Sequence, residues 1–204
     1  MSHEDMSMSI KTKMHELKKD LLLQEASHFF EEVGYEEMKL SDLAKKAGVS
    51  MGTIYGYFNS KEGLYAAYIT YQIDQFIQEF FSETEHLASA EEKLKVYARL
   101  KFSYYMRKSN ALVHSIRHNP FYFPGFYKVN VHPLAKIFTA LSLSFQEIDP
   151  ALSEHEAVEM AYLFNGLTDG YVGRWYEEQY DLMGKTDEAC RRFIAMMNKE
   201  REDV

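Results

Sequence analysis

Apolar residues recur along the chain at intervals of three and four, with almost no sustained alternation, and this spacing predicts an all-α protein. Leu22, Ala26, Phe29, Phe30 and Val33 form the stripe of a first helix from about Thr12, with Gly34 as its left-handed stop. SDLAKKA reads as a short second helix ending at Gly48, and MGTIYGYF as a third with Ser50 at its N-cap. A fourth opens after Asn59-Ser60, with Ser60 as cap, and runs along Ile69, Ile73, Phe76 and Phe80. Two more are expected over 91–108 and 111–117, followed by the Pro- and Gly-punctuated aromatic turn HNPFYFPGF. A helix then runs toward Phe145, with Pro133 either kinking it or marking its first turn. Ser153 and Glu156 form a capping box that opens the longest helix, whose stripe is Ala157, Met160, Phe164, Leu167, Tyr171 and Trp175. The last helix starts near Asp187, with Thr186 as its cap and Cys190, Phe193, Ile194 and Met197 on one face.

Composition narrows this picture. A chain of 204 residues suits one or two small domains, and 46% hydrophobic with 26% charged residues excludes a disordered or collagen-like chain. No stretch approaches the ~18 uninterrupted apolar residues of a membrane span, so no membrane partner is expected. The single cysteine can form neither an intrachain disulfide nor a multi-thiolate metal site, and MSHEDMSMS lacks the zones of a secretory signal. A reducing cytoplasm is the expected compartment. The net charge is −8, yet residues 39–61 carry Lys39, Lys45, Lys46 and Lys61 against Asp42, a local +3. Residues 11–19 add Lys11, Lys13, Lys18 and Lys19 against Glu16, again +3, which leaves −14 for the remainder. Phosphate is therefore attracted to one end of the molecule.

The basic stretch LSDLAKKAGVSMGTIYGYFNSKEGL reads as a helix-turn-helix. Leu43 and Ala47 share a face of the first helix, Ile54 and Phe58 a face of the second, and small Ala44 permits close approach. Gly48 sits where the connection wants positive φ. Tyr55 also suits core packing, as Phe58 does more strongly. GVSMGTIYGYFNSKEGL closely resembles the recognition segment of tetracycline-repressor-like (TetR/AcrR) transcriptional regulators, a resemblance that extends through about residue 80. It implies that the helix from Ser50 enters the major groove and that Thr53, Tyr55, Tyr57 and Lys61 contact DNA, mostly at phosphates. Ser41, Lys45, Ser50 and Met51 complete the expected DNA-binding set. Met51 stands at a position often basic in that family, and Lys39 and Leu40 stand where a hydroxyl residue often caps the preceding helix. The expected division is a DNA-binding domain over 1–59, a linking helix over 60–82, and a ligand-binding and dimerisation domain over 83–204. The resemblance places dimerisation on the last two long helices.

Residues 102–145 are dense in Phe, Tyr and His, which favours a cleft for an apolar or aromatic small molecule. The expected ligand residues are Tyr105, His114, His118, Phe121, Phe123, Asn165 and Asp169. His114 and His118, spaced i, i+4, with His132 as a third, could also ligate a metal, and Glu25-x-x-His28 and Glu83-x-x-His86 match half of a di-iron pattern. Neither arrangement carries the further ligands such sites need, so no metal, cofactor or enzymatic role is expected. Gly166, Gly170 and Gly173 interrupt the longest helix at a cost of about 1 kcal/mol each relative to alanine. Close packing at a subunit interface explains them, with room for a ligand beside Asn165 and Asp169 as the competing reason. Trp175, Phe193 and Met197 join them as expected interface residues. Together these readings describe a homodimeric, effector-responsive regulator, a repressor, on a palindromic duplex operator. The alternative is a helical small-molecule- or metal-binding protein without operator binding.

Overall fold

The computed structural model describes residues 10–112 and 134–202, and every regular element among them is helical. The helices are α1 (Ile10–Glu37), α2 (Leu40–Ala47), α3 (Met51–Phe58), α4 (Lys61–Thr84), α5 (Ala90–Arg107), α6 (Ala135–Ile148), α7 (Glu154–Glu178) and α8 (Thr186–Glu202). A 3-10 turn, Met183–Lys185, leads into α8. Residues 109–112 are helical, while most of the expected 111–117 helix, the HNPFYFPGF turn and Pro133 lie outside the described residues.

The chain divides into two compact units, Met1–Tyr71 and Gln72–Val204, so the boundary falls within α4. In the first unit, Leu22, Ala26 and Phe30 of α1 are buried with Leu43 and Ala44 of α2, Ile54 and Phe58 of α3, and Leu64, Tyr65 and Tyr68 of α4. Its centre is aromatic. The Phe30 ring lies 5.2 Å from both the Tyr65 and Tyr68 rings, and Tyr35 lies 4.9 Å from Tyr65. Burial and the Glu31 carboxylate push the Tyr68 phenol well above its ordinary pKa, so it stays a neutral core ring.

Local chemistry sets the helix ends. Gly34 has a φ of 80° within the last turns of α1, and Gly48 has φ 65° and ψ 32° after α2. Lys39 precedes α2 without any side-chain cap, as its side chain requires. Ser50 accepts from the Thr53 N–H at 3.1 Å, and Ser60 accepts from the Gly63 N–H at 3.0 Å. The Ser153–Glu156 capping box is formed in full. Thr186 departs from expectation. It is already helical, and its hydroxyl donates to the Met183 carbonyl at 2.9 Å, because the preceding 3-10 turn occupies the place a cap would take.

In the second unit α7 lies along α6, and α5 packs against α6, α7 and α8. Phe145, Phe164 and Phe193 form a triad with centroids 5.1–5.9 Å apart. Cys190 is buried beside them in the same core, and burial pushes its thiol up to about 12. Trp175, Phe193 and Met197 belong to this core too, at 8%, 4% and 8% exposure. They pack inward within the chain and leave only a small part of their surface open.

Gly48→Ala should lower stability by about 1–2 kcal/mol, because an L-residue pays a steric penalty in the left-handed region. Denaturant unfolding followed by helix loss measures it, and an unchanged midpoint would contradict the assigned backbone.

Candidate nucleic-acid interface

The α2–turn–α3 corner is built from three local features. The Val49 N–H donates to the Ala44 carbonyl at 3.0 Å across Gly48, closing α2. Ser50 caps α3, and its hydroxyl shares a 3.0 Å hydrogen bond with that of Thr53. Ile54 and Phe58, four residues apart, fix the buried face of α3. Gly52 and Gly56 lie opposite that face and are exposed, as is Tyr55 on its flank, while Met51, Thr53 and Tyr57 are half-buried.

The expected DNA-contacting residues fall into distinct situations. Tyr55 is 47% exposed and is no core residue. The Tyr57 ring lies 4.6 Å from the His15 ring, which ties α3 to the amino-terminal turns of α1. Ser41 and Lys45 are exposed on α2. Lys61 is positioned by its surroundings: its ammonium donates to the Glu36 carbonyl at 3.1 Å and lies 4.6 Å from the Tyr35 ring centroid. Tyr35 donates to Glu62, whose carboxyl is held below its usual range first by Ser60, then by its own backbone N–H and Tyr35. Lys46 instead pairs with Glu25 at 3.2 Å above the Phe29 ring. Sequence reasoning did not anticipate this, since the two lie on different helices.

The second unit contains a buried polar node. Lys101 on α5, 7% exposed, pairs with Asp169 at 2.6 Å and donates to Asn165 Oδ1 at 2.8 Å, the Asn165 carbonyl at 3.1 Å and Thr168 Oγ1 at 3.0 Å. Tyr97 donates to Asn165 Oδ1 at 2.6 Å, and Asn165 Nδ2 donates to Asp169 Oδ2 at 3.0 Å. Burial pulls the Lys101 ammonium below its ordinary pKa, partly opposed by Asp169. Burial, then the Asp169 charge, holds the Tyr97 phenol well above its own. Asn165 and Asp169, expected to face a ligand, are thus engaged by Lys101 and Tyr97. A lysine inside an otherwise charged, amphipathic α5 gave no sequence signal of its burial. Tyr105 is half-buried against the same core, while His114, His118, Phe121, Phe123 and His132 lie outside the described residues.

A β-carbon built at Gly166, Gly170 or Gly173 meets nothing within 4 Å, so these glycines open outward and are not needed for packing within the chain. Tyr162, 49% exposed, shares their face. Glu25 and Glu83 of the half di-iron patterns are paired with Lys46 and Arg99. Among the described residues no three His, Cys, Asp or Glu side chains converge as a metal site, and no helix is long and apolar enough to cross a membrane.

A capped, solvent-facing eight-residue helix set on a locally basic three-helix support defines a helix-turn-helix unit. Residues 22–68 match the family model described as bacterial regulatory proteins, tetR family. The chain is 34% identical over 82 residues to the fatty acid metabolism regulator protein of Bacillus subtilis, covering 40% of this chain and 42% of the relative. It is 35% identical over 75 residues to the HTH-type transcriptional repressor ComR of Escherichia coli, covering 37% and 34%. The matched segment thus spans about two fifths or less of these relatives' own length. Among solved structures, the regulator FadR from Bacillus subtilis in complex with stearoyl-CoA aligns with a TM-score of 0.66 at 25% identity, covering 85% of this chain and 96% of that one. The fatty acid degradation regulator FadR from Bacillus halodurans shares the fold, with a TM-score of 0.67 at 23% identity over 87% and 94%. The tetR-family likeness in sequence is thus carried by the amino-terminal segment, while the likeness to the solved regulators extends over most of the chain as a shared fold.

The Lys101 node carries a signed pH dependence. Folded Lys101 holds its proton less tightly than unfolded lysine, so just below the ordinary value of 10.5 the unfolded chain binds more protons. Raising pH through that window therefore relieves a destabilising contribution. Asp169→Asn removes the opposing charge and should cost about 1–3 kcal/mol near neutrality, the carboxylate being half-exposed. Its thermal midpoint should also recover more between neutral and alkaline pH than the wild type's. Lys101→Met should lack this recovery; an equal recovery in Lys101→Met would refute the assignment.

Proposed function

We propose that this protein is an effector-responsive transcriptional repressor that binds a palindromic duplex operator as a homodimer. The observation that carries the reading is the coincidence of the tetR-family match over residues 22–68 with an exposed α3 on a basic support. Ser41, Lys45, Ser50, Met51, Thr53, Tyr55, Tyr57 and Lys61 form its DNA-facing set. Lysines there would serve phosphates, and a two-fold dimer would present one α3 to each half-site.

The interface assigned to the second copy is the open face of α7 carrying Tyr162, Gly166, Gly170 and Gly173, together with the exposed Met196 of α8. Glycines with free space above them let two helices approach closely, which accounts for their presence in a long helix. The effector assigned to the second unit is apolar, with fatty acyl-CoA the first class to test. The aromatic core supports this, as does likeness to a regulator solved with stearoyl-CoA. The Tyr171 hydroxyl, buried without a hydrogen bond among the described residues, is a polar group such a ligand could satisfy. The effector acts only through its differential affinity for DNA-competent and released dimer states.

Three measurements test this reading. Lys61→Ala should weaken binding to all duplexes and flatten the salt dependence by about one unit of slope. An unchanged slope would remove Lys61 from the interface. Gly170→Gln should leave helix content intact yet give a monomer by sedimentation with weakened operator binding; a persistent dimer would move the interface elsewhere. Long-chain acyl-CoA should reduce operator affinity by about 5- to 150-fold in a mobility-shift titration. No reduction would discard the acyl class.

A further inference from the structure

Bidentate base recognition in the major groove requires particular side chains. Arginine or lysine reads guanine, asparagine or glutamine reads adenine, and a carboxylate accepts from cytosine. The sequence of α3, MGTIYGYF, contains none of these. Ile54 and Phe58 are buried, the Thr53 hydroxyl is shared with Ser50, and the Tyr57 ring rests against His15. For reading base edges α3 therefore offers the half-buried Met51 thioether at its first turn, the exposed Tyr55 ring and bare backbone, with Thr53 and Tyr57 left to phosphate contacts.

That backbone is bare where it matters most. Gly52 and Gly56, one turn apart, lie opposite the buried Ile54–Phe58 face. Glycine weakens a helix relative to alanine. Yet a β-carbon at Gly52 would meet only Ser50 Oγ, at 3.7 Å, and at Gly56 nothing within 4 Å. Nothing within the chain demands either glycine, whereas a helix stripped along its crest can sit closer to the groove floor.

Resting on the regulator reading above, we propose that this protein selects its operator chiefly through thymine C5-methyl groups. Met51 and Tyr55 make the apolar contacts, and the Gly52–Gly56 strip allows the close approach. Thymine offers the methyl as its distinguishing apolar feature in the major groove, and a thioether and an aromatic edge are suited to it. Lys45 and Lys61 then serve the phosphates, and Ser41 adds at most one hydroxyl, short of a bidentate pair.

The test is selection of duplexes from a random library by the full-length protein, followed by titration of the selected duplex and the same duplex with deoxyuridine for thymine in both half-sites. Uracil keeps every hydrogen-bonding group and loses only the methyl. Each contacted methyl removed should weaken binding about fourfold. Met51→Ala should move the thymine-to-uracil affinity ratio toward one, while Lys61→Ala should weaken both duplexes by the same factor and leave that ratio alone. Equal affinity for the two duplexes, or a consensus whose essential positions are all G·C pairs, would overturn the proposal. Absence of salt-dependent binding to any duplex would overturn the regulator reading itself, and this proposal with it.

Discussion

The first unit depends on the reversal of the chain at Gly48. An eight-residue helix is too short to hold together in water by its own hydrogen bonds, so α3 exists only because its neighbours fix it. The left-handed residue closes α2, Ser50 starts α3 immediately afterward, and Ile54 and Phe58 are pressed into a core whose centre is the Phe30–Tyr65–Tyr68 cluster. Once those two side chains are inside, the 3.6-residue period dictates which residues face out. The composition of the exposed face is thus a consequence of the buried one.

The second unit is organised differently. Its phenylalanine triad supplies shape without direction, since apolar contact tolerates many arrangements. The Lys101 node supplies direction. A buried ammonium has few acceptable sets of partners, and here they come from little more than one turn of α7, at Asn165, Thr168 and Asp169, with Tyr97 joining from α5. Such a node fixes the register of α5 along α7 in a way the rings alone would not.

The features visible in the sequence were those decided by neighbours along the chain. The stop at Gly48, the caps at Ser50, Ser60 and Ser153, and the apolar stripes of α4 and α7 each rest on residues within one or two turns of one another. The features that escaped depend on distant partners. Lys101 looks like any helical lysine until α7 is beside it, Lys46 meets Glu25 only after α1 and α2 pack, and Trp175, Phe193 and Met197 join one core only when the helices are assembled. Thr186 failed locally, because a 3-10 turn and a cap both accept a threonine at that point.

The buried position of the lone cysteine has one more implication. A thiol held protonated inside the phenylalanine core reacts with peroxide or disulfide only after that core opens, so oxidative signals have no direct handle on the second unit among its cysteines. The same seclusion makes Cys190 a built-in clock. The rate at which a small alkylating reagent modifies it reports how often the interior breathes, with no foreign label required.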